Sequence, residues 1–242
     1  MVALGGTGST DGGMGLLAAL GAKFIDRRGR VVTPFGDNLG KVAQCVLPSI
    51  KKPIIGLCDV QVPLLGERGA VAQFGIQKGI APEEVGRVDA AMDRYAKCVQ
   101  GWGKENWSDV LGAGAAGGMG FGILATGGSL QSGAEVVAQW CDLDKHILSS
   151  DWVITGEGKI DSQTTEGKVV STVVHHAARF GKPVIAVVGN RDVDLTKLHE
   201  IGLTFVMPLV PGPITIQDAM IKTRFFSMMV GEEIGWLVKA LQ

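Results

Sequence analysis

Pro183-Val184-Ile185-Ala186-Val187-Val188 is an uninterrupted apolar run behind a proline. A strand with one face in water alternates apolar and polar residues, so a run without alternation fits a strand buried on both faces. Outward from it, residues 152–155 and 204–206 read as two further strands, with helices expected over 167–180, 195–201 and 216–241. Strand and helix in strict alternation imply right-handed parallel crossovers. The expected fold class is therefore α/β, with residues 151–242 forming the C-terminal half of a doubly wound parallel sheet. That sheet is incomplete, because three strands alone leave an open apolar edge, which folded proteins avoid. A second copy pairing its own sheet across a dimer is one way to cover it.

Residues 1–150 have a different texture, with short apolar runs broken by glycine loops, and are expected to form a mixed α+β domain. Strands are expected at 2–4 and 54–58, a helix over 11–20, and a hairpin joining 23–25 to 30–32 through Arg27-Arg28-Gly29. Pro82-Glu83-Glu84 supplies a helix start, with proline in the first turn and acids at the positive end of the dipole. Val85, Val88, Met92, Tyr95 and Val99 then recur at helical spacing.

Composition removes several classes of function. The chain has 242 residues, 46% of them hydrophobic, a normal globular value, which excludes disorder. With 23 basic against 24 acidic side chains there is no positive excess to neutralise a phosphate backbone or an anionic membrane surface. The four cysteines lie far apart without CxxC spacing, which argues against metal ribbons and disulfide scaffolds and for buried, reduced thiols in a cytoplasmic protein. Residues 1–6 lack the pattern of a signal peptide. Residues 110–127 carry no charge but are diluted by glycine, and a small-residue helix packed in a core is expected there rather than a membrane span. Glycine is the outlier at 36 residues, about twice the ordinary ~7%, pointing to tight loops where backbone approaches a ligand.

Three such loops carry candidate chemistry. Gly5-Gly6-Thr7-Gly8-Ser9-Thr10-Asp11-Gly12-Gly13 lies between a strand and a helix; it reads either as an anion cradle of backbone amides or as a tight turn ending in a Thr10 or Asp11 cap. Gly112-Ala113-Gly114-Ala115-Ala116-Gly117 is a formal GxGxxG, but Glu105-Asn106-Trp107-Ser108-Asp109 before it is no strand, so nicotinamide binding ranks last and phosphate contact through Gly114 stays open. The third runs from Thr155 to Thr164 after an apolar strand. There Glu157, Lys159 and Asp161 suit magnesium–phosphate chemistry, with carboxylates toward the ion, an ammonium toward phosphate and a free Asp as proton acceptor; a solvated charged turn is the alternative. Gly167-Lys168 is followed by Val169, so it is no Walker A loop. Strand-end Asp59 and Lys78 in Gln77-Lys78-Gly79 are further candidates, a carboxylate and an anion binder.

Together these segments resemble the glycerate kinase family of the bacterial type unrelated to P-loop kinases. The resemblance rests on LGGTGSTDGGMGLLAALGA (4–22), CDVQVPLLGERGAVAQFGIQKG (58–79), GAGAAGGMGFGILA (112–125), VITGEGKIDSQTTEGK (153–168) and KPVIAVVGN (182–190), in the family's order. It implies ATP, Mg²⁺ and D-glycerate, with 2-phosphoglycerate as product. By motif it assigns Asp11 to an Asn-Asp-Gly-Gly loop, Asp59 to a Cys-Asp strand end, Lys78 to a Gln-Lys-Gly turn, and Glu157 and Asp161 to a Gly-Glu-Gly-basic-Ile-Asp loop. Asp161 or Asp59 is expected as the base toward the glycerate hydroxyl, and Glu157 and Asp161 in the metal shell. Gly5, Gly6, Thr10, Asp11, Gly12, Gly13, Lys78, Gly114 and Lys159 are expected to contact substrate or phosphate.

Departures from the family pattern are Thr10 for Asn, Val62 for the Asn of Asn-Pro-Leu, and Ile76 for the Pro of Gly-Pro-Gln-Lys. Members also carry an upstream strand, an Asp-Ser-Phe-Lys-like loop and an Asp-Gly-Gly-Glu-Gly segment before the stretch that opens this chain, so the first α/β half is expected to be missing here. Two expectations follow: an ATP-dependent glycerate kinase, and a non-catalytic piece of one that folds and binds small anions without turnover.

Overall fold

The computed structural model describes residues 1–101, 106–160, 169–191 and 194–241. The chain divides into two compact units, Met1–Val136 and Val137–Gln242.

In the first unit β1 (Val2–Ala3) leads through the glycine loop into α1 (Met14–Ala19), then β2 (Lys23–Ile25), β3 (Gln44–Val46) and β4 (Ile55–Leu57). Helices α2 (Ala70–Phe74), α3 (Val85–Gln100) and α4 (Ala115–Ala125) follow, then β5 (Ser129–Gln131) and the start of α5 (Gly133–Trp140). β1, β4 and β5 form a parallel sheet with β4 in the centre. The expected hairpin turn exists, with Val32 N donating to Phe24 O at 2.8 Å, but the ladder partner of β2 is β3, antiparallel, through Phe24 opposite Cys45. The periodic face of α3 is the core face: Met92, Tyr95 and Val99 are buried with Met14, Leu17, Phe24 and Phe121. Tyr95 sits at the centre, its ring 5.8 Å from Phe24 and 6.2 Å from Phe121, contacts that add to its burial.

α4 is the small-residue helix, and its helical geometry breaks at Ala116, Gly117 and Gly118, all with positive φ. Among the described residues no helix is long and apolar enough to cross a membrane.

The second unit contains α6 (Leu143–Leu148), β6 (Val153–Ile160), α7 (Val169–Arg179), β7 (Val184–Arg191), α8 (Thr196–Glu200), β8 (Leu203–Pro208), α9 (Ile216–Ile221) and α10 (Thr223–Ala240). β6, β7 and β8 pair in parallel in that order. The run at 184–188 is buried on both faces: Val184, Ala186 and Val188 pack with α7 and α8, whereas Ile185 and Val187 pack with Val230, Ile234 and Val238 of α10. Helices thus cover both faces of this three-stranded sheet. Its outer strands expose Ile154 and Phe205.

Three expectations are corrected here. β6 continues to Ile160, so Glu157 and Lys159 are strand residues rather than loop residues, opposite Val188 and Asn190. Glycine permits this closeness, since a Cβ at Gly156 would lie 2.4 Å from Val187 O. The cysteines are free but not buried; three are half-buried and Cys141 is exposed. The expected final helix is two, α9 and α10, meeting at Lys222.

Candidate functional site

The carboxyl ends of parallel strands, where ligands of open sheets bind, gather most of the expected residues of the first unit. Leu4 N donates to Leu57 O and Cys58 N to Gln131 O, extending the ladder to its end. Beyond it lie the glycine loop after β1, Asp59 after β4, and Ser132-Gly133 after β5.

The glycine loop has two halves with different reasons for glycine. A Cβ at Gly12 would lie 2.6 Å from the Tyr95 ring, and one at Gly13 would lie 2.8 Å from Gly122 Cα, so these two positions are packing requirements. Gly5, Gly6 and Gly8 are exposed, and a Cβ on any of them would meet nothing within 4 Å. Packing does not account for those three, and only Gly6, with φ +62°, has a backbone conformation that favours glycine. Their backbone is open to a ligand, and Thr7 Oγ1 shapes the turn by accepting from Ser9 N at 3.1 Å.

Asp11 caps α1 from inside the loop. Its carboxylate accepts from Gly13 N at 3.0 Å and Gly15 N at 2.9 Å. The first-turn amides that an external anion would use are therefore held by Asp11. Thr10 Oγ1 is buried without a hydrogen-bond partner among the described residues.

Lys78 closes the loop from the side. It ends a short 3-10 turn, Ile76–Lys78, followed by Gly79 with φ +94°, and its Nζ donates to Ser9 O at 2.9 Å. Burial pulls the ammonium pKa below its usual value, and the negative charge of Asp11 opposes that shift. A cavity of about 500 Å³ adjoins this point, lined among others by Gly8, Thr10, Asp37, Lys78, Arg87 and Arg94.

Asp59 accepts on Oδ1 from Ala134 N at 3.0 Å and from Ser132 Oγ at 3.3 Å, which ties the end of β4 to the first turn of α5. Its other oxygen, Oδ2, makes no hydrogen bond to any described residue. The neighbouring Cys58 thiol is pushed up by burial and then by the Asp59 charge, and Cys45 is pushed up to about 12 by burial and then by Cys98. Neither is a thiolate nucleophile at neutral pH.

Every glycine of the GxGxxG sits where backbone meets another group. Cβ atoms at Gly112, Gly114 and Gly117 would lie 2.8 Å from Cys58 Sγ, 2.3 Å from Pro63 O and 2.0 Å from Ser9 O. Gly114 thus packs on the segment after Asp59, and residues Trp107–Asp109 ahead of the motif form a 3-10 turn, not a strand. Close packing explains these glycines, and the dinucleotide context is missing. The sequence reading did not detect the supporting role of Ser132 or of the Ala134 amide; a Ser-Gly step just before a helix was the available signal.

In the second unit Glu157 and Lys159 line a separate cavity of about 780 Å³ at the carboxyl end of its sheet, with Asn190 beside them. Asp161 lies outside the described residues. Among the described residues there is no group of three or more His, Cys, Asp or Glu positioned around a common metal site.

With this geometry in view, similarity to known proteins narrows the reading. The sequence profile of the glycerate kinase family matches residues 1–239. A glycerate kinase of Bacillus cereus is 38% identical over 225 residues, covering 90% of this chain and 59% of that protein. A glycerate 2-kinase of Escherichia coli is 36% identical with the same coverage. A crystal structure described as glycerate kinase 2 from Salmonella typhimurium LT2 superimposes with a TM-score of 0.76 at 36% identity, covering 98% of this chain and 63% of that one. The chain spans about three fifths of the length of these relatives.

Proposed function

The chain belongs to the glycerate kinase family, and from that premise we propose that it carries the glycerate-binding and much of the phosphoryl-transfer machinery of an ATP-dependent glycerate kinase acting in the cytoplasm. The observation that carries the proposal is the open Gly5-Gly6-Thr7-Gly8 backbone with Lys78 fastened beside it by its 2.9 Å hydrogen bond to Ser9 O. Unpacked backbone amides next to an ammonium favour a small carboxylate or phosphate. The second unit, with helices on both faces of its parallel sheet, is read as half of a doubly wound domain.

In the proposed reaction a hydroxyl oxygen of D-glycerate attacks the γ-phosphorus of ATP in line. The bond from that phosphorus to the bridging β,γ-oxygen breaks, ADP leaves, and the hydroxyl proton passes to a carboxylate. Asp59 Oδ2 is proposed for that proton, because Oδ1 is already fixed by Ala134 N and Ser132 Oγ and the group is held in orientation. Asp161 is the other proposed acceptor. Glu157 is an oxygen donor of the hard type that Mg²⁺ takes, and an ion carried on phosphates needs only one or two protein carboxylates. Bound there, Mg²⁺ would neutralise charge on the phosphates. The expected product is 2-phosphoglycerate.

A second reading is a folded, non-catalytic member that binds anions. It is favoured by the capping duties of Asp11 and Asp59. The deciding experiment is ADP release from Mg·ATP with and without D-glycerate, followed by phosphorus NMR of the product. Glycerate-dependent release with a 2-phosphoglycerate signal supports the kinase; a cooperatively folded chain without release supports the second reading.

A further inference from the structure

We infer that the 780 Å³ cavity of the second unit is a docking site for the base of a purine nucleotide, formed by β7, the segment after β8, and the apolar faces of α9 and α10. The inference rests on the proposed use of ATP and names where its non-reacting part is held.

Three features converge. The first is position: Glu157, Gly158 and Lys159 end β6, Gly189 and Asn190 end β7, and Leu209 and Val210 follow β8, so the cavity opens at the carboxyl end of all three parallel strands, the place where open α/β sheets hold nucleotides. The second is the division of chemistry. Val187, Leu209 and Phe226 are apolar lining groups and Ile216 and Met220 form an apolar wall on α9, while Glu157, Lys159 and Asn190 are polar groups of the lining, at the ends of β6 and β7. A flat heteroaromatic base fits the first set and a charged polyphosphate the second, and the volume is within the range of about 300–1,000 Å³ of small-ligand pockets.

The third feature is an exposure that the fold does not explain. Ile216 and Met220 are one helical step apart, at i and i+4 on α9, and share a face. They are 81% and 72% exposed, although both line the cavity. Thr215 caps this helix, its hydroxyl oxygen accepting from Asp218 N at 3.1 Å, so the wall is anchored and not a frayed end. An adenine ring between this wall and Val187 would bury apolar surface that otherwise faces water.

The test is calorimetric titration of the 242-residue chain with ATP and, separately, with inorganic tripolyphosphate. Ile216→Glu and Met220→Glu place a carboxylate against the base at exposed positions that the fold tolerates. Each is expected to weaken ATP about ten-fold while leaving tripolyphosphate affinity unchanged. Met228→Glu, also exposed but outside the cavity, is the control and is expected to bind ATP as the parent does. Tripolyphosphate is expected to bind the parent more weakly than ATP. ATP binding that is unchanged in both wall variants, or equalled by tripolyphosphate, overturns the base pocket and leaves the kinase reading standing. A parent chain that binds no ATP overturns both.

Discussion

Lys78 Nζ donates to the backbone carbonyl of Ser9 at 2.9 Å, across 69 positions of sequence, and so fixes a turn from the middle of the first unit against the loop that follows β1. Lys78→Met keeps the length of the stem but removes the charge and this bond. The expected result is a fall of about ten- to a hundred-fold in kcat/KM for glycerate, the range for a lost charge-assisted hydrogen bond, with little change in Tm. Steady-state kinetics beside a thermal melt checks both halves.

The same lysine gives a pH prediction. Burial lowers its folded pKa below the unfolded 10.5, so between the two values the unfolded chain binds more protons and stability from this group rises with pH. Anion binding runs the other way, because it needs the ammonium. Affinity for glycerate is expected to fall as pH rises through the lowered pKa, before an ordinary lysine would titrate. A binding titration from about pH 7 to about 11 tests this; an affinity that falls only near the ordinary lysine range would remove Lys78 from the site.

Glycines that look alike in sequence are expected to respond in opposite ways. Gly117→Ala places a Cβ 2.0 Å from Ser9 O at φ +69°, and should destabilise by about 1–3 kcal/mol or more, the cost of a strained backbone position. Gly5→Ala meets nothing within 4 Å and should change stability by less than about 0.5 kcal/mol while weakening anion binding. Urea melts of the two variants separate packing from ligand roles.

That contrast marks how far sequence alone reaches. The apolar run at 184–188 revealed a strand buried on both faces because burial on two sides erases alternation, and Val85 to Val99 revealed α3 because helical spacing survives in one stretch. The continuation of β6 through Glu157 and Lys159 was hidden, since Gly156 and Gly158 are turn residues by composition, and it takes the closeness of β7 to explain Gly156. β3, β5 and the pairing of β2 were also hidden: three-residue strands carry too little pattern, and partners are a tertiary fact. For the site, strand-end Asp59 was legible, but its tie to Ser132 and Ala134 joins residues more than 70 positions apart.

Asp144 joins α6 to α7 by accepting from His176 and Arg179. The His176 hydrogen bond is the largest influence and lowers its carboxyl pKa; desolvation opposes it, and the His176 and Arg179 charges add smaller lowering effects, so the net shift is downward. A depressed folded pKa gives stability that is present above the unfolded 3.8 and lost as pH falls through the folded value. Asp144→Asn should therefore flatten the acid limb of the stability curve below about pH 4, measured as urea midpoint against pH. An unchanged acid limb would show that Asp144 contributes nothing to it.

Tyr95 is fully buried, its hydroxyl has no hydrogen-bond partner among the described residues, and burial pushes its pKa up. An unpaired buried hydroxyl costs about 1–3 kcal/mol, whereas the ring packs well between Phe24 and Phe121. Tyr95→Phe keeps the ring and deletes the orphan oxygen, so Tm is expected to stay level or rise. A fall in Tm would reveal a partner for the hydroxyl.

Asp59 and Asp161 compete for one role, and a pair of isosteric variants decides it. Asparagine at 59 keeps an oxygen able to accept from Ala134 N, so the link from β4 to α5 survives while the proton acceptor is lost. Loss of a positioned general base costs about 10²–10⁴ in rate, and Asp59→Asn is expected to lower kcat by that amount with KM for glycerate nearly unchanged. Asp161→Asn should do the same if Asp161 is the base. If instead Asp161 serves the metal, its variant should recover with raised Mg²⁺ and that of Asp59 should not.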